Sequence, residues 1–315
     1  MSASLKELLK KNRDRQAFRA EGNASEDFRE VPVVPPLPVE KPIQQMNGKP
    51  DQCFVIIPDV HSYQRDKKAF ELTMRSLPLL QEAYNVTKFI QLGDLLECGM
   101  LSTHPIASVY DRAPEYEEEV DWAVNDFWKP AMRALPNANF DALLGNHEDR
   151  LNRWLAAKIG NSHLATQIYN EMLPIELYQD LGIHVTPHGR EDVKEGVLPI
   201  FNNLVCIHGW SIAKNASQAH LNYVAGGSSI IFGHTHRMQS DVRRNPLTDE
   251  YMRSYSFGSL AKVSMKWHQG RPMDHTLGFG LVFTYGNQYV IRTQEILIDG
   301  DKRTLFLHTG DVLEA

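Results

Sequence analysis

An α/β fold is predicted for this chain, with crossover units first and antiparallel strands late. Three observations predict it. From residue 51 onward, short apolar runs alternate with helix-length amphipathic stretches. The runs CFVIIP (53–58), KFIQL (88–92), FDALL (140–144), NLVCI (203–207) and SSIIF (228–232) are mostly apolar, as buried strands are. Near the C-terminus, GLVFTYGNQYVIRTQEILI (280–298) alternates around a Tyr-Gly-Asn turn and reads as an antiparallel hairpin.

Each element has a local reason. DKKAFELTMRSLPLLQEAY (66–84) reads as a helix with Asp66 as N-cap and Pro78 as a kink. Further helices are expected at 115–134, 148–159, 163–180 and 214–225. Residues 1–50 stand apart. Lys6, Lys10, Lys11, Arg13, Arg15 and Arg19 give a basic amphipathic helix or nucleic-acid arm, and the proline-rich run through 31–42 gives an extended tether. The main domain is expected at 51–300, with a helical insertion at 99–139 and a tail at 301–315. The arm is a candidate contact for a homo-oligomer.

The composition is that of an ordinary globular protein, with 315 residues, 42% hydrophobic and 23% charged. No run approaches the roughly 18 apolar residues that mark a membrane span, so no membrane partner is expected. The opening MSASLKELLKKNRDRQ lacks the apolar core of a secretion signal. Cys53, Cys98 and Cys206 form no close pair in sequence, which fits a reducing cytoplasm. A formal net charge of -6 gives no overall attraction to nucleic acid.

The polar residues fall at the ends of the strands. After CFVIIP come Asp59 and His61; after KFIQL, Gly93, Asp94 and Glu97; after FDALL, Gly145, Asn146, His147 and Glu148; after NLVCI, His208 and Gly209; after SSIIF, Gly233, His234 and His236. Ligands of α/β sheets bind beyond the carboxyl ends of strands, so these side chains are expected to converge. Carboxylates, a carboxamide and imidazoles without a thiolate suit Mn, Fe, Zn, Ni or Co.

The ordered set D-x-H, G-D-x-x-E, G-N-H-E, H-G and G-H-T-H resembles the calcineurin-like metallophosphoesterase superfamily over roughly residues 53–260. The resemblance implies a central β-sandwich of mixed sheets flanked by helices, with a dinuclear metal site at the strand ends. Carried over by position, Asp59, His61 and His236 hold one ion, Asn146, His208 and His234 the other, and Asp94 bridges them. The cofactor so implied is two divalent ions, Mn²⁺ first among the candidates, sharing a hydroxide that attacks phosphorus. His147 stays off the ions as the catalytic proton donor, with Asp59 close enough to orient it. Glu148 and Asp149 are expected to open the next helix, at the positive end of its dipole.

Departures from subfamily patterns narrow the reaction. Protein serine/threonine phosphatases of this superfamily carry Asp-Arg-Gly and a further arginine where this chain has Glu97-Cys98-Gly99 and Leu144, and purple acid phosphatases carry a tyrosine ligand at Glu97. What remains looks like the stand-alone phosphoesterases of bacteria and their phages. The expected substrate is a phosphodiester, a nucleotide or a nucleic-acid end; a phosphomonoester and a non-catalytic metal-binding scaffold are the alternatives. Arg150 is expected either to clamp a phosphate oxygen or to pair with an acid. His104 is a candidate at the pocket mouth, and Trp210, which follows a ligand candidate, is a candidate to approach substrate, with core packing its competing role. Lys214 and His220 are candidates to approach substrate, and Ser259 to shape the nearby loop. Trp122, Phe127 and Trp128 read as the buried face of a helix, with platforms for a base as the alternative.

Overall fold

The computed structural model describes residues 48–102, 113–160, 162–172, 175–189, 195–223, 228–244, 251–264 and 273–315. The expected N-terminal helix, its tether and His104 lie outside the described residues. One compact unit spans Lys49–Ala315.

Two sheets make the sandwich. The first has eight strands in the order β13-β12-β11-β10-β1-β2-β3-β4: β1 (Gln52–Ile57), β2 (Val86–Gln91), β3 (Asn139–Leu143), β4 (Ile183–Thr186), β10 (Leu277–Tyr285), β11 (Gln288–Asp299), β12 (Lys302–Phe306) and β13 (Val312–Glu314). The second has five in the order β5-β6-β7-β9-β8: β5 (Val197–Phe201), β6 (Leu204–Ile207), β7 (Ser229–Phe232), β8 (Met238–Arg244) and β9 (Tyr251–Phe257). β1 to β4 run parallel, as do β6 and β7, whereas β10 runs antiparallel to β1.

The five apolar runs are strands because each is buried on two faces. From β1, Phe54 and Ile56 point into the sandwich with Leu204, Cys206, Ile231 and Phe257 of the second sheet. Cys53, Val55 and Ile57 point the other way, into the helical layer. Strands covered on both sides have no polar face to alternate. At Gly280 of β10, a Cβ would collide with the ring of Phe257, so the bare glycine lets the sheets approach.

The helices cover the outer faces. α1 (Lys67–Tyr84) buries Ala69, Leu72, Leu77 and Leu80 against the first sheet, starts where Asp66 accepts from the Ala69 amide at 3.0 Å, and continues through Pro78. The insertion carries α2 (Tyr116–Trp122) and α3 (Lys129–Ala134), joined by a π-helical stretch, Ala123–Trp128. Phe127 and Trp128 are fully buried, and Trp122 packs on Phe70 beneath the Arg65 guanidinium, which is the core role expected of these aromatics. α4 (Asp149–Ile159), α5 (His163–Met172) and α6 (Ile175–Asp180) follow β3. α7 (Ala216–Tyr223) lies on the second sheet, where Ala216 joins Val205, Ile207, Ile230 and Phe232.

The expected tail at 301–315 is corrected. These residues form the two outermost strands, β12 and β13, with Leu305 fully buried. Arg303 donates twice to Asp66, from Nε at 3.0 Å and from a terminal nitrogen at 2.8 Å, so the edge of the sheet is tied to the cap of α1. Leu305→Ala is therefore expected to lower the unfolding free energy by about 2–4 kcal/mol in a urea titration. A change below about 0.5 kcal/mol would mean the segment is peripheral after all.

Candidate metal centre

Both sheets deliver their polar residues to one edge. β1 ends at Asp59 and His61, β2 at Asp94, β3 at Asn146 and His147, β6 at His208, and β7 at His234 and His236. Two groups of donors result, Asp59 with His61 and His236, and Asp94 with His208 and His234; within each, the ligating atoms lie within 4.8 Å of one another. The structure therefore brings together all the ligand candidates of the two sheets.

In the first group, His236 Nε2 lies 3.1 Å from Asp59 Oδ2 and 2.9 Å from His61 Nε2. In the second, His208 Nε2 lies 3.0 Å from Asn146 Oδ1 and 3.4 Å from Asp94 Oδ2. Asp94 Oδ2 is also 3.8 Å from His61 Nε2, so this one oxygen faces both groups. His147 Nε2 is 3.9 Å from the same atom, and His147 with His61 and Asp94 makes a third set of donors.

The turns that carry these residues are built around the carboxylates. A Cβ at Gly145 would collide with Asp94, and one at Gly233 with Asp59, so only glycine fits. Asp59 accepts from the His234 amide at 2.8 and 3.0 Å, and Asp94 accepts from the His147 amide at 2.9 Å. His61, Asp94, His234 and His236 all have left-handed backbone, with φ of 57°, 53°, 69° and 54°. Such strain in non-glycine residues gathers at functional sites.

Glu148 and Asp149 stand at the start of α4 as expected, but Glu148 has a further role. It precedes α4 without capping it, and its buried carboxylate accepts from the amides of Asp94 (3.0 Å), Leu96 (2.8 Å) and Gly145 (2.8 Å). A buried carboxylate needs donors, and three main-chain amides in the two turns supply them. Burial, and then the Asp94 charge, push Glu148 above the usual carboxylate range. Glu119, from the insertion, plays a matching part: it accepts from Ser62 Oγ at 2.6 Å and from the amides of Glu97 at 2.7 Å and Cys98 at 3.1 Å.

Glu97 links the metal candidates to His147. Its Oε2 lies 2.7 Å from His61 Nδ1 and 3.2 Å from His147 Nδ1. Arg150 donates to the Glu97 carbonyl at 2.6 Å and pairs with Oε1 at 3.2 Å, so it takes the expected acid pairing. It also reaches His147 Nε2 at 3.0 Å, while His147 Nδ1 meets the Glu97 carbonyl at 3.1 Å. A carbonyl only accepts and a guanidinium only donates, so the neutral Nδ1–H tautomer alone satisfies both contacts. Proton donation from Nε2 therefore requires Arg150 to withdraw.

Other candidates lie around the rim. Trp210 is 41% exposed, which excludes the core role; its ring meets the edge of buried His220, whose Nε2 accepts from the Trp210 amide at 3.2 Å. His220 is thus a support of the loop after His208, and Lys214 offers its carbonyl to Gln239 at 2.9 Å. Ser259 is buried, and the Leu260 amide beside it donates to the Asp59 carbonyl at 2.8 Å. A residue missed from the sequence is His275, whose ring lies 4.8 Å from that of His236 and which lines a cleft of about 420 Å³ over the cluster with Ile212, Arg237, Met273 and Asp274.

The donor set fits divalent cations. His208 Nδ1 must donate to the Leu92 carbonyl at 2.9 Å, which turns Nε2 towards two oxygen acceptors. Only a proton or a cation between them relieves that repulsion, and fixing one ring nitrogen so that the other can ligate is the usual outer support of a metal histidine. His61 is arranged likewise through Glu97. Burial opposes the charged form of His61, but Glu97 and then Asp94 raise it to about 9. Burial opposes it in His208 too, and Asp94 raises that residue to about 10. Burial and then the His208 charge depress His234 to about 4, leaving it neutral. Burial alone would raise Asp59 and Asp94, yet His236 holds the first and His208 the second below the usual range.

Layered sheets with oxygen and nitrogen donors at their shared edge define a candidate centre for divalent metal ions. The chain belongs to the calcineurin-like phosphoesterase family, whose model matches residues 54–238. The fold is that of the metallophosphoesterases, and metal-dependent phosphoester hydrolysis is the activity the family carries. No curated protein matches the chain. Among solved structures, the crystal structure of Chaetomium thermophilum Vps29 is similar at 10% identity, covering 84% of this chain and 96% of its own, with a TM-score of 0.35. At that score the likeness adds nothing to the family assignment.

Cations compete with the protons on His61 and His208. In the ion-free protein both raised groups are protonated at pH 7, and the stability they contribute is full below about pH 6.5 and lost as pH climbs through about 9–10. Metal binding has the opposite sign: affinity should rise with pH over that window. Calorimetric titration at pH 7 in buffers of different ionisation enthalpy should show net proton release on Mn²⁺ binding; identical heats in all buffers would contradict protonation of His61 and His208 in the ion-free protein.

Proposed function

We propose that this protein is a dinuclear-metal phosphodiesterase acting on a nucleotide or a nucleic-acid end. Asp59, His61 and His236 would hold one divalent ion and Asn146, His208 and His234 the other, with Asp94 between them and Mn²⁺ as the working metal. The observation that carries the diester reading is the shape around His147. The cleft over the metal candidates and a second cleft of about 420 Å³ share Asn146 and His147 in their linings. A phosphoryl group at their junction has space for a substituent on each side, as a diester requires and a monoester does not.

When bound, the ions supply Lewis acidity and neutralise phosphoryl charge. The chain's own residues supply the rest. Glu97 fixes His147 through Nδ1, and Nε2 would hold or pass a proton at the reacting group once Arg150 has turned from it to a phosphoryl oxygen. Arg150 stands beside Nε2 and places positive charge where phosphoryl oxygens gain negative charge. Asn146 offers a neutral oxygen, so the site keeps room for an anionic substrate. Three buried cysteines left as thiols support a cytoplasmic location.

With Mn²⁺ loaded, bis-p-nitrophenyl phosphate should be hydrolysed faster than p-nitrophenyl phosphate, and a tenfold preference for the monoester would defeat the diesterase reading. His147→Gln should retain two ions by metal analysis while kcat falls by about 10²–10⁴. Unaltered hydrolysis would remove His147 from catalysis, and hydrolysis of no phosphoester by the loaded wild type would leave a metal-binding scaffold.

A further inference from the structure

The second cleft has a composition of its own. Arg150, Arg153, Trp154, Ala157 and Lys158 line it from α4, and Leu101 and Ser102 line it from the turn after β2. The α4 positions recur at three and four residues, so they form one face, which adjoins the buried Leu151 and Leu155. Three cations and no carboxylate line the cleft among the described residues, in a chain of net charge -6. Trp154 is 41% exposed, an uncommon position for the largest aromatic side chain. Arg153 is held in place, donating to the Asn146 carbonyl at 2.9 Å and pairing with Asp149 at 3.3 Å.

We infer that this cleft is a nucleoside subsite, in which Trp154 stacks the base next to the scissile phosphate and Arg153 and Lys158 take the phosphate beyond it. The inference rests on the diesterase reading and deepens it by assigning one arm of the substrate to a place. Three features carry it together. The cleft shares Asn146 and His147 with the cleft over the metal candidates. An exposed indole offers a platform that any base can use. Ala157 leaves the neighbouring helical position small, and the cations suit a polyanion that continues past the reacting group.

The test is equilibrium binding to the Mn²⁺-loaded full chain, by calorimetry and by quenching of tryptophan fluorescence. The probes are a dinucleotide whose bridging oxygen is replaced by methylene and its two abasic counterparts, each lacking one base. Trp154→Ala should weaken dinucleotide binding by about 10-fold, Trp154→Phe should restore most of it, and the loss should vanish for one abasic counterpart. Lys158→Ala should reduce the salt dependence of binding. Equal affinity of the wild type and Trp154→Ala, an equal loss on all three probes, or no binding would each overturn the subsite. The diesterase reading fails separately: a wild type that binds the dinucleotide through Trp154 but leaves the natural phosphodiester uncut keeps the subsite and loses the reaction.

Discussion

One buried carboxylate sets the terms for the rest of the site. Asp94, 2% exposed, faces His61, His147 and His208, which arrive from three different strands of both sheets. An anion withdrawn from water is costly unless positive charge or donors surround it. Its amide is bound by Glu148 and one oxygen by the His147 amide, so the turns after β2 and β3 are fastened to each other before any side chain reaches for a metal. The sandwich supplies the geometry, because β1, β2 and β3 end at the same edge and β6 and β7 end opposite them. The cation-binding chemistry then follows from electrostatics, since a cluster of carboxylates and lone pairs pointing inward demands protons or metal ions between them.

Much of this was legible in the sequence because strands buried on both faces leave an unmistakable apolar run, and a polar residue directly after such a run has a known address. That reasoning reaches Asp59, Asp94, Asn146, His208 and His234 without any coordinates. It does not reach His275. β10 runs antiparallel to β1, so its beginning, not its end, lies at the edge where β1 stops. A search of strand ends passes over the residues that precede it. Glu119 was hidden differently, within an acid-rich helix where one buried carboxylate looks like its solvated neighbours; only its contact with Ser62 and two amides sets it apart. The last two strands were hidden because lysine, arginine and threonine before Leu305 mask β12, and the edge strand β13 is only three residues long.

Arg150 illustrates how one residue satisfies two readings. Its bond to Glu97 is a structural ion pair, and its contact with His147 places it beside the proposed proton donor. The same guanidinium keeps His147 in one tautomer and blocks the nitrogen that would move a proton. A substrate oxyanion offers the guanidinium a stronger partner than a neutral imidazole does. In the proposed diesterase, substrate arrival would thereby be coupled to release of Nε2 through Arg150 alone.

The strained backbone explains why so large a scaffold surrounds so small a site. Left-handed geometry at non-glycine residues costs up to about 1–3 kcal/mol each, and four candidate ligands adopt it. The sum is comparable with the roughly 5–15 kcal/mol that separates a folded domain from its unfolded chain. The turns hold these conformations because each is clamped at both ends: by buried strands on one side, and by Asp59, Asp94, Glu148 and Leu260 on the other. Bound ions would return part of that energy, since whatever binds only the folded state stabilises it. The remainder must come from the core, to which the first sheet adds by continuing past the strands that carry the candidate ligands to β13 and tying β12 back to the start of α1 through Arg303 and Asp66.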